Sequence, residues 1–138
     1  MVYTGRHSET AEKVAIKVID KLSFAGAYCL TNLQSEVDIM RKLKHPNIVQ
    51  LLDIYQTHRN VYLVTELCEE DLRQWLGSRG VATEEEAIAI LRDIMAGYQY
   101  LHDHGILHRD LKPANLLIKG GTCKLADFGF ARNLESGA

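Results

Sequence analysis

The strongest constraint in this sequence is one long, doubly capped helix. Thr83-Glu84-Glu85-Glu86 has the form of a capping box, in which the Thr hydroxyl and the Glu three residues later satisfy orphan amides at a helix start. Behind it Ala87, Ile88, Leu91, Ile94, Met95, Tyr98 and Leu101 hold a helical stripe, and Gly105 stands where a left-handed cap would end it. The spacing predicts about five turns of helix.

The residues before this helix change period. Val14-Ala15-Ile16-Lys17-Val18-Ile19 is rich in β-branched side chains around one charge, which predicts a strand with Lys17 projecting from one face. From Thr31 to Lys44, Leu33, Val37, Met40 and Leu43 line one side of a helix. His45-Pro46 ends it, because the residue before a proline is pushed out of the helical region. Ile48-Val49-Gln50-Leu51-Leu52 and Val61-Tyr62-Leu63-Val64-Thr65 predict two strands, joined through the polar Thr57-His58-Arg59-Asn60. A short helix is expected over Asp71-Leu72-Arg73-Gln74-Trp75-Leu76, stopped by Gly77 and Gly80. Beyond the long helix, Leu116-Leu117-Ile118-Lys119 and Thr122-Cys123-Lys124-Leu125-Ala126 flank Gly120-Gly121, a two-residue hairpin turn that needs positive φ. No repeat or low-complexity linker divides the chain, and residues 66–70 are the candidate hinge.

A length of 138 residues allows one domain at most, and 46% hydrophobic with 25% charged positions is an ordinary soluble mix. A net charge of -2 with both signs interspersed offers no footprint for a nucleic-acid backbone. No stretch approaches the ~18 apolar residues of a membrane span, and the opening Met1-Val2-Tyr3-Thr4-Gly5-Arg6 lacks a signal-peptide core. Residue 2 is not Gly and the tail carries no prenylation Cys, so the expected address is cytoplasm, with the nucleus open. Cys29, Cys68 and Cys123 are too few and scattered for a disulfide framework or zinc site and are expected as reduced thiols.

Between the long helix and the hairpin lies His108-Arg109-Asp110-Leu111-Lys112-Pro113-Ala114-Asn115, and after the hairpin Asp127-Phe128-Gly129. With Val14-Ala15-Ile16-Lys17 upstream, this ordered set resembles the eukaryotic protein kinases of the serine/threonine type, and the resemblance covers essentially the whole chain. It implies an α+β, two-lobe fold in partial form. Residues 1–65 would be an antiparallel sheet with one helix in the small lobe, 66–71 the hinge, and 72–138 the mainly helical start of the large lobe.

Phosphoryl transfer needs cations on phosphate oxygens, a metal held by oxygen ligands, and a carboxylate orienting the attacking hydroxyl. The resemblance assigns Lys17 to the α and β phosphates of ATP and Glu36 to the carboxylate that pairs with it. It makes Asp110 the catalytic base, and Asn115 and Asp127 the ligands of Mg²⁺, which takes few protein oxygens. Lys112 sits where serine/threonine kinases carry a lysine on the γ-phosphate, with dual specificity left open. Thr65 would be the gatekeeper, Glu66 and Cys68 the backbone contacts to adenine, Asp71 a ribose contact, and Val2, Ala15 and Leu117 the apolar walls. Arg109 resembles the arginine that senses a phosphorylated activation loop, and Met40, Leu51, His108 and Phe128 fall at the regulatory hydrophobic column. Singly, each charge has a bland alternative as a solvated surface group.

Two pieces of the family pattern are not seen. The chain starts at the valine after the expected G-x-G-x-x-G loop, Gly5 not being one of its glycines, and it stops before A-P-E. Exposed apolar patches are therefore expected along Ile88, Leu91, Met95 and Tyr98. Expected partners are ATP and a protein substrate bearing Ser or Thr. Transfer by this chain alone is in doubt, and the alternative is a non-catalytic nucleotide-binding or scaffold module of kinase shape. A P-loop NTPase is excluded, since no G-x-x-x-x-G-K-[ST] occurs. Asp127-Phe128-Gly129-Phe130-Ala131-Arg132 weakly resembles the autophagy-initiating Unc-like kinases, and Cys68-Glu69-Glu70-Asp71-Leu72 the cyclin-dependent or mitogen-activated ones.

Overall fold

The β-branched run around Lys17 forms the middle of a sheet, as its alternation requires. The computed structural model describes residues 1–22 and 27–134, without the side chains of 27–32. Strands β1 (Val2–Arg6), β2 (Lys13–Asp20), β3 (Leu51–Gln56) and β4 (Asn60–Glu66) build one antiparallel sheet in the order β1-β2-β4-β3. Helix α1 (Ala27–Lys42) starts earlier than its apolar spacing predicted and ends two residues sooner. Val37, Ile39 and Met40 of α1 are buried, as are Val14, Val61 and Leu63 of the strands. These elements belong to one compact unit, Met1–Lys42 with Gln50–Leu67.

Leu43–Val49 groups instead with Cys68–Ala138 in a second unit. This explains why the strand expected over 48–52 begins only at Leu51. Ile48 forms an isolated parallel bridge with Leu125, and the Val49 N–H donates to the Leu125 carbonyl at 3.0 Å. The apolar run was therefore two pieces with different partners.

In the second unit, β5 (Glu70–Asp71), β7 (Leu116–Lys119) and β8 (Thr122–Leu125) form a three-stranded sheet, and β6 (Ile106–Leu107) pairs with β9 (Arg132–Asn133). The Gly120-Gly121 turn has the expected positive φ, +55° and +80°, and both carboxylate oxygens of Glu69 accept from the Gly120 N–H at 3.0 Å. Helix α2 (Leu72–Arg79) is longer than predicted, because Gly77 lies inside it and Gly80, at φ +78°, ends it. A single interior glycine costs about 1 kcal/mol. That is offset by an Asp71–Gln74 capping box and by burial of Leu72 and Trp75.

Helix α3 (Glu84–Asp103) carries the predicted capping box: Glu86 N–H donates to Thr83 Oγ1 at 3.2 Å, and Thr83 N–H to the Glu86 carboxylate at 2.9 Å. That backbone bond from Thr83 holds the Glu86 carboxyl below the ordinary carboxylate range. The apolar stripe is not the face that packs. Ile88, Leu91, Met95 and Tyr98 are exposed, Met95 at 66%, as expected for an uncovered patch, and of the stripe only Leu101 is fully buried. The helix instead meets β8 through Asp93, whose carboxylate accepts from Cys123 N–H at 2.8 Å, and through Gly97, which is buried. Among the described residues no helix is long and apolar enough to cross a membrane.

Cys68 is half-buried and Cys123 buried, and neither is in a disulfide; the side chain of Cys29 lies outside the described residues. Burial, reinforced by the Asp93 charge, pushes the Cys123 thiol up to about 11. Because this raised value lies above that of an exposed thiol, its contribution to stability is intact below about pH 8.5 and is lost as pH rises toward 11. Cys123 is accordingly expected to resist iodoacetamide at pH 8 in the native chain and to react in urea, read by mass spectrometry. Rapid native labelling at this cysteine would contradict the assignment.

Candidate active site

Lys17, in the middle of β2, faces α1, and its ammonium lies 3.5 Å from Glu36 Oε1. Glu36 is only 7% exposed. A carboxylate is rarely buried to that extent unless paired, so its bland reading as a surface helix charge does not hold. The strand register also puts Lys17 opposite Val2 on β1 and Leu63 on β4, and Ala15 opposite Thr65. Paired residues of an antiparallel sheet project to the same face, so Val2, Ala15, Lys17 and Thr65 share one side of this sheet.

The second unit assembles its own polar cluster on the loop between β6 and β7. A single turn of 3-10 helix, Pro113–Asn115, brings Asn115 back toward Asp110. The Asn115 amide donates to both the backbone oxygen and Oδ2 of Asp110, each at 2.9 Å, and Lys112 Nζ stands 3.5 Å from Asp110 Oδ1. Both bonds use the Asn115 amide nitrogen, and its one side-chain acceptor is Oδ1.

His108 ties this loop to the segment after β8. Its Nε2 lies 2.7 Å from the Ala126 carbonyl, and its Nδ1 accepts from the Asp110 N–H at 3.2 Å, which together require the Nε2–H tautomer. The imidazole meets the Phe128 ring edge-on at 5.1 Å between centroids, and both residues are almost fully buried. The Ala126 N–H donates to the Asn115 carbonyl at 2.9 Å. Next in the chain, Asp127 is exposed and adopts φ +59°, with Oδ1 accepting from Gly129 N–H at 3.2 Å. Arg109 is also left-handed, at φ +66°, and its Nε donates to the Phe130 carbonyl at 2.8 Å. Two non-glycine residues held at positive φ on adjacent loops mark a place where surrounding bonds over-determine the backbone.

Comparison with known proteins gives the family of the chain. The protein kinase domain family matches over residues 1–138. Serine/threonine-protein kinase 36 of Pongo abelii is 46% identical over 136 residues, covering 98% of this chain and 10% of the relative. Serine/threonine-protein kinase PLK4 of Drosophila ananassae is 42% identical over 97% of this chain and 18% of its own length, and serine/threonine-protein kinase fused of Drosophila melanogaster is 39% identical over 99% and 17%. The chain belongs to the protein kinase domain family. It spans about a tenth to a fifth of the length of these relatives.

Within this kinase domain the predicted adenine-site residues divide between the units: Val2, Ala15, Thr65 and Glu66 in the first, Cys68, Asp71 and Leu117 in the second. Asp71 and Leu117 are register partners of β5 and β7. The Asp71 carboxylate caps α2 through the Gln74 N–H at 2.8 Å and pairs with Arg73 at 3.2 Å, so its predicted ribose role competes with a structural one. Glu66 accepts from the Gln50 N–H at 2.9 Å. Of the predicted regulatory residues, His108 and Phe128 touch, while Met40 and Leu51 lie in the first unit, buried and half-buried. Leu51 also lines a cavity of ≈ 220 Å³ with Arg41, Leu52, Asp53 and Ile54, which contains none of the predicted catalytic residues. Sequence reasoning missed Asn47 and Asp93, which bond to the strand leading into Asp127. The available signal was the four-residue spacing of Asp93, Gly97 and Leu101 along one face of α3.

Proposed function

We propose that this kinase domain takes part in ATP-dependent phosphoryl transfer to serine or threonine hydroxyls of protein substrates. The observation that carries the reading is the Asp110, Lys112 and Asn115 cluster, in which a carboxylate is oriented from both sides. A carboxylate has about four lone-pair sites. Asp110 therefore keeps acceptor capacity for a substrate hydroxyl, whose proton it orients and receives. Lys112 places a cation beside that carboxylate, where it compensates charge on the transferred group. Lys17, held by buried Glu36, serves the α and β phosphates as a compact charge.

The donor set fits Mg²⁺. Asn115 Oδ1 and the exposed Asp127 carboxylate are hard oxygens, and two protein ligands suit an ion that otherwise takes phosphate oxygens and water. Mg²⁺ bound there would neutralise phosphate charge and orient the nucleotide. Arg109 stays exposed beside the segment after Asp127, which suits recognition of a phosphorylated residue on that segment.

Thermal shift tests the nucleotide part. Mg-ATP at a hundredfold excess over Kd stabilises a binding-competent fold by about 2.7 kcal/mol. Wild type should show the shift, and Lys17→Ala should lose most of it, each protein being measured against its own ligand-free melting temperature. No shift in the wild type would overturn the reading.

A further inference from the structure

The outer edge of β8 is closed by side chains and a loop instead of another regular strand. Cys123 and Leu125 alternate on this edge, and each of their backbone groups has a partner there. Cys123 N–H donates to Asp93 Oδ2 at 2.8 Å, and the Cys123 carbonyl accepts from Asn47 Nδ2 at 3.0 Å. Leu125 N–H donates to the Asn47 carbonyl at 2.8 Å, and the Leu125 carbonyl accepts from Val49 N–H at 3.0 Å. Asp93 thus does at one position what a neighbouring strand's carbonyl would do.

This arrangement depends on close approach. A Cβ added at Gly97, one turn beyond Asp93 on α3, would lie 2.8 Å from the Asn47 carbonyl oxygen and 3.1 Å from the Leu125 side chain. Hydrogen-bonded backbone is in the way, so α3 or the 47–49 segment would have to move. Gly97 allows the helix to sit where the Asp93 carboxylate reaches Cys123.

Two residues beyond β8 stands Asp127, at φ +59°. Such a conformation is costly for a non-glycine residue and persists only when its surroundings dictate it. Ala126 is held at both backbone groups, by Asn115 and His108, and the strand before it is held at Cys123 and Leu125.

We propose that Asp93, with Asn47, is a positioning residue for Asp127: by fixing the outer edge of β8 from α3 and the 47–49 segment, it sets where the Asp127 carboxylate is offered to the metal. The proposal rests on the metal role proposed for Asp127 above. Asp93 never touches nucleotide or metal and acts only through the strand. Outer groups of this kind that orient a ligand typically change metal affinity 10–100-fold when removed.

Asp93→Leu keeps the size of the side chain and removes the acceptor; Asp93→Asn keeps an acceptor oxygen. Mn²⁺ binding in saturating ADP, read from the EPR signal of free Mn²⁺, is expected to weaken about tenfold in Asp93→Leu and to recover in Asp93→Asn. Metal-free ADP binding, read by calorimetry, should stay unchanged in both. Equal losses of metal-free ADP and Mn²⁺ binding, or unchanged Mn²⁺ affinity, would overturn the proposal. Amide hydrogen exchange provides a readout that does not depend on the ligand. In Asp93→Leu, residues 122–129 should exchange faster while residues 84–92 and the first unit's strands are unchanged. Acceleration confined to Cys123, or spread uniformly through the chain, would count against it. A wild type that binds neither ADP nor Mn²⁺-ADP would overturn the nucleotide reading and this proposal together, whereas normal wild-type binding with an unaffected Asp93→Leu overturns this proposal alone.

Discussion

Asp110→Asn is expected to lower phosphoryl transfer to a serine-containing peptide by about 10²–10⁴-fold, the range typical for loss of a positioned general base. The assay is run with ATP and Mg²⁺ saturating. Mg-ATP affinity should be nearly unchanged, because Lys17, the proposed phosphate cation, and the proposed ligands Asn115 and Asp127 are retained. The substitution also preserves shape. Asn115 still finds the residue 110 backbone oxygen, which accepts from its amide at 2.9 Å in the native loop. What is lost is a carboxylate that can take a proton while Lys112 stands 3.5 Å away. Transfer at the wild-type rate would remove Asp110 from the chemistry. A fall in ATP affinity matching the fall in rate would assign it a structural part instead.

Phe128→Ala is expected to destabilise the fold by about 3–5 kcal/mol, as deletion of a fully buried aromatic ring does. Phe128 has 0% exposure, and its ring meets that of His108, itself 1% exposed. The cavity would remove the packing that orients the imidazole, whose Nε2 bonds to the Ala126 carbonyl at 2.7 Å. For a chain of this size the loss corresponds to a drop in melting temperature on the order of 10 °C. Thermal and denaturant unfolding of the two proteins side by side would measure it. A loss below about 1 kcal/mol would mean the ring space is refilled by neighbours. Phe128→Leu, which keeps most of the apolar volume, should recover much of the difference.

Local rules accounted for much of the architecture. The capping boxes at Thr83 and Asp71 and the Gly120-Gly121 turn rest on interactions spanning a few residues, and the Lys17 strand shows in its local β-branched pattern although its partners are distant. Errors came where partners are distant in sequence. Ile48 and Val49 have the composition of a strand continuing into Leu51, but their partner is Leu125 and not β4. Gly77 looks like a helix stop, yet burial of Trp75 and the cap at Asp71 carry the helix through it. Along α3 the apolar stripe marks the patch that stays exposed, whereas the face packed on β8 was not legible, since it carries a carboxylate and a glycine, neither of which scores as core.

The sequence by itself determined the order of the main elements, the capped start of the long helix and the set of residues on which the proposed chemistry depends, because residue type and short spacing decide capping, turns and chemical capacity. Only the tertiary structure decided that Glu36 is buried against Lys17, that Asn115 and Lys112 converge on Asp110, and that Asp93 and Asn47 close the edge of the strand leading to Asp127. Those relations join residues from 2 to 76 positions apart. For the distant pairs, contact geometry depends on how whole elements pack, and no local propensity encodes that. For the near ones it depends on backbone held in place by bonds from elsewhere in the fold.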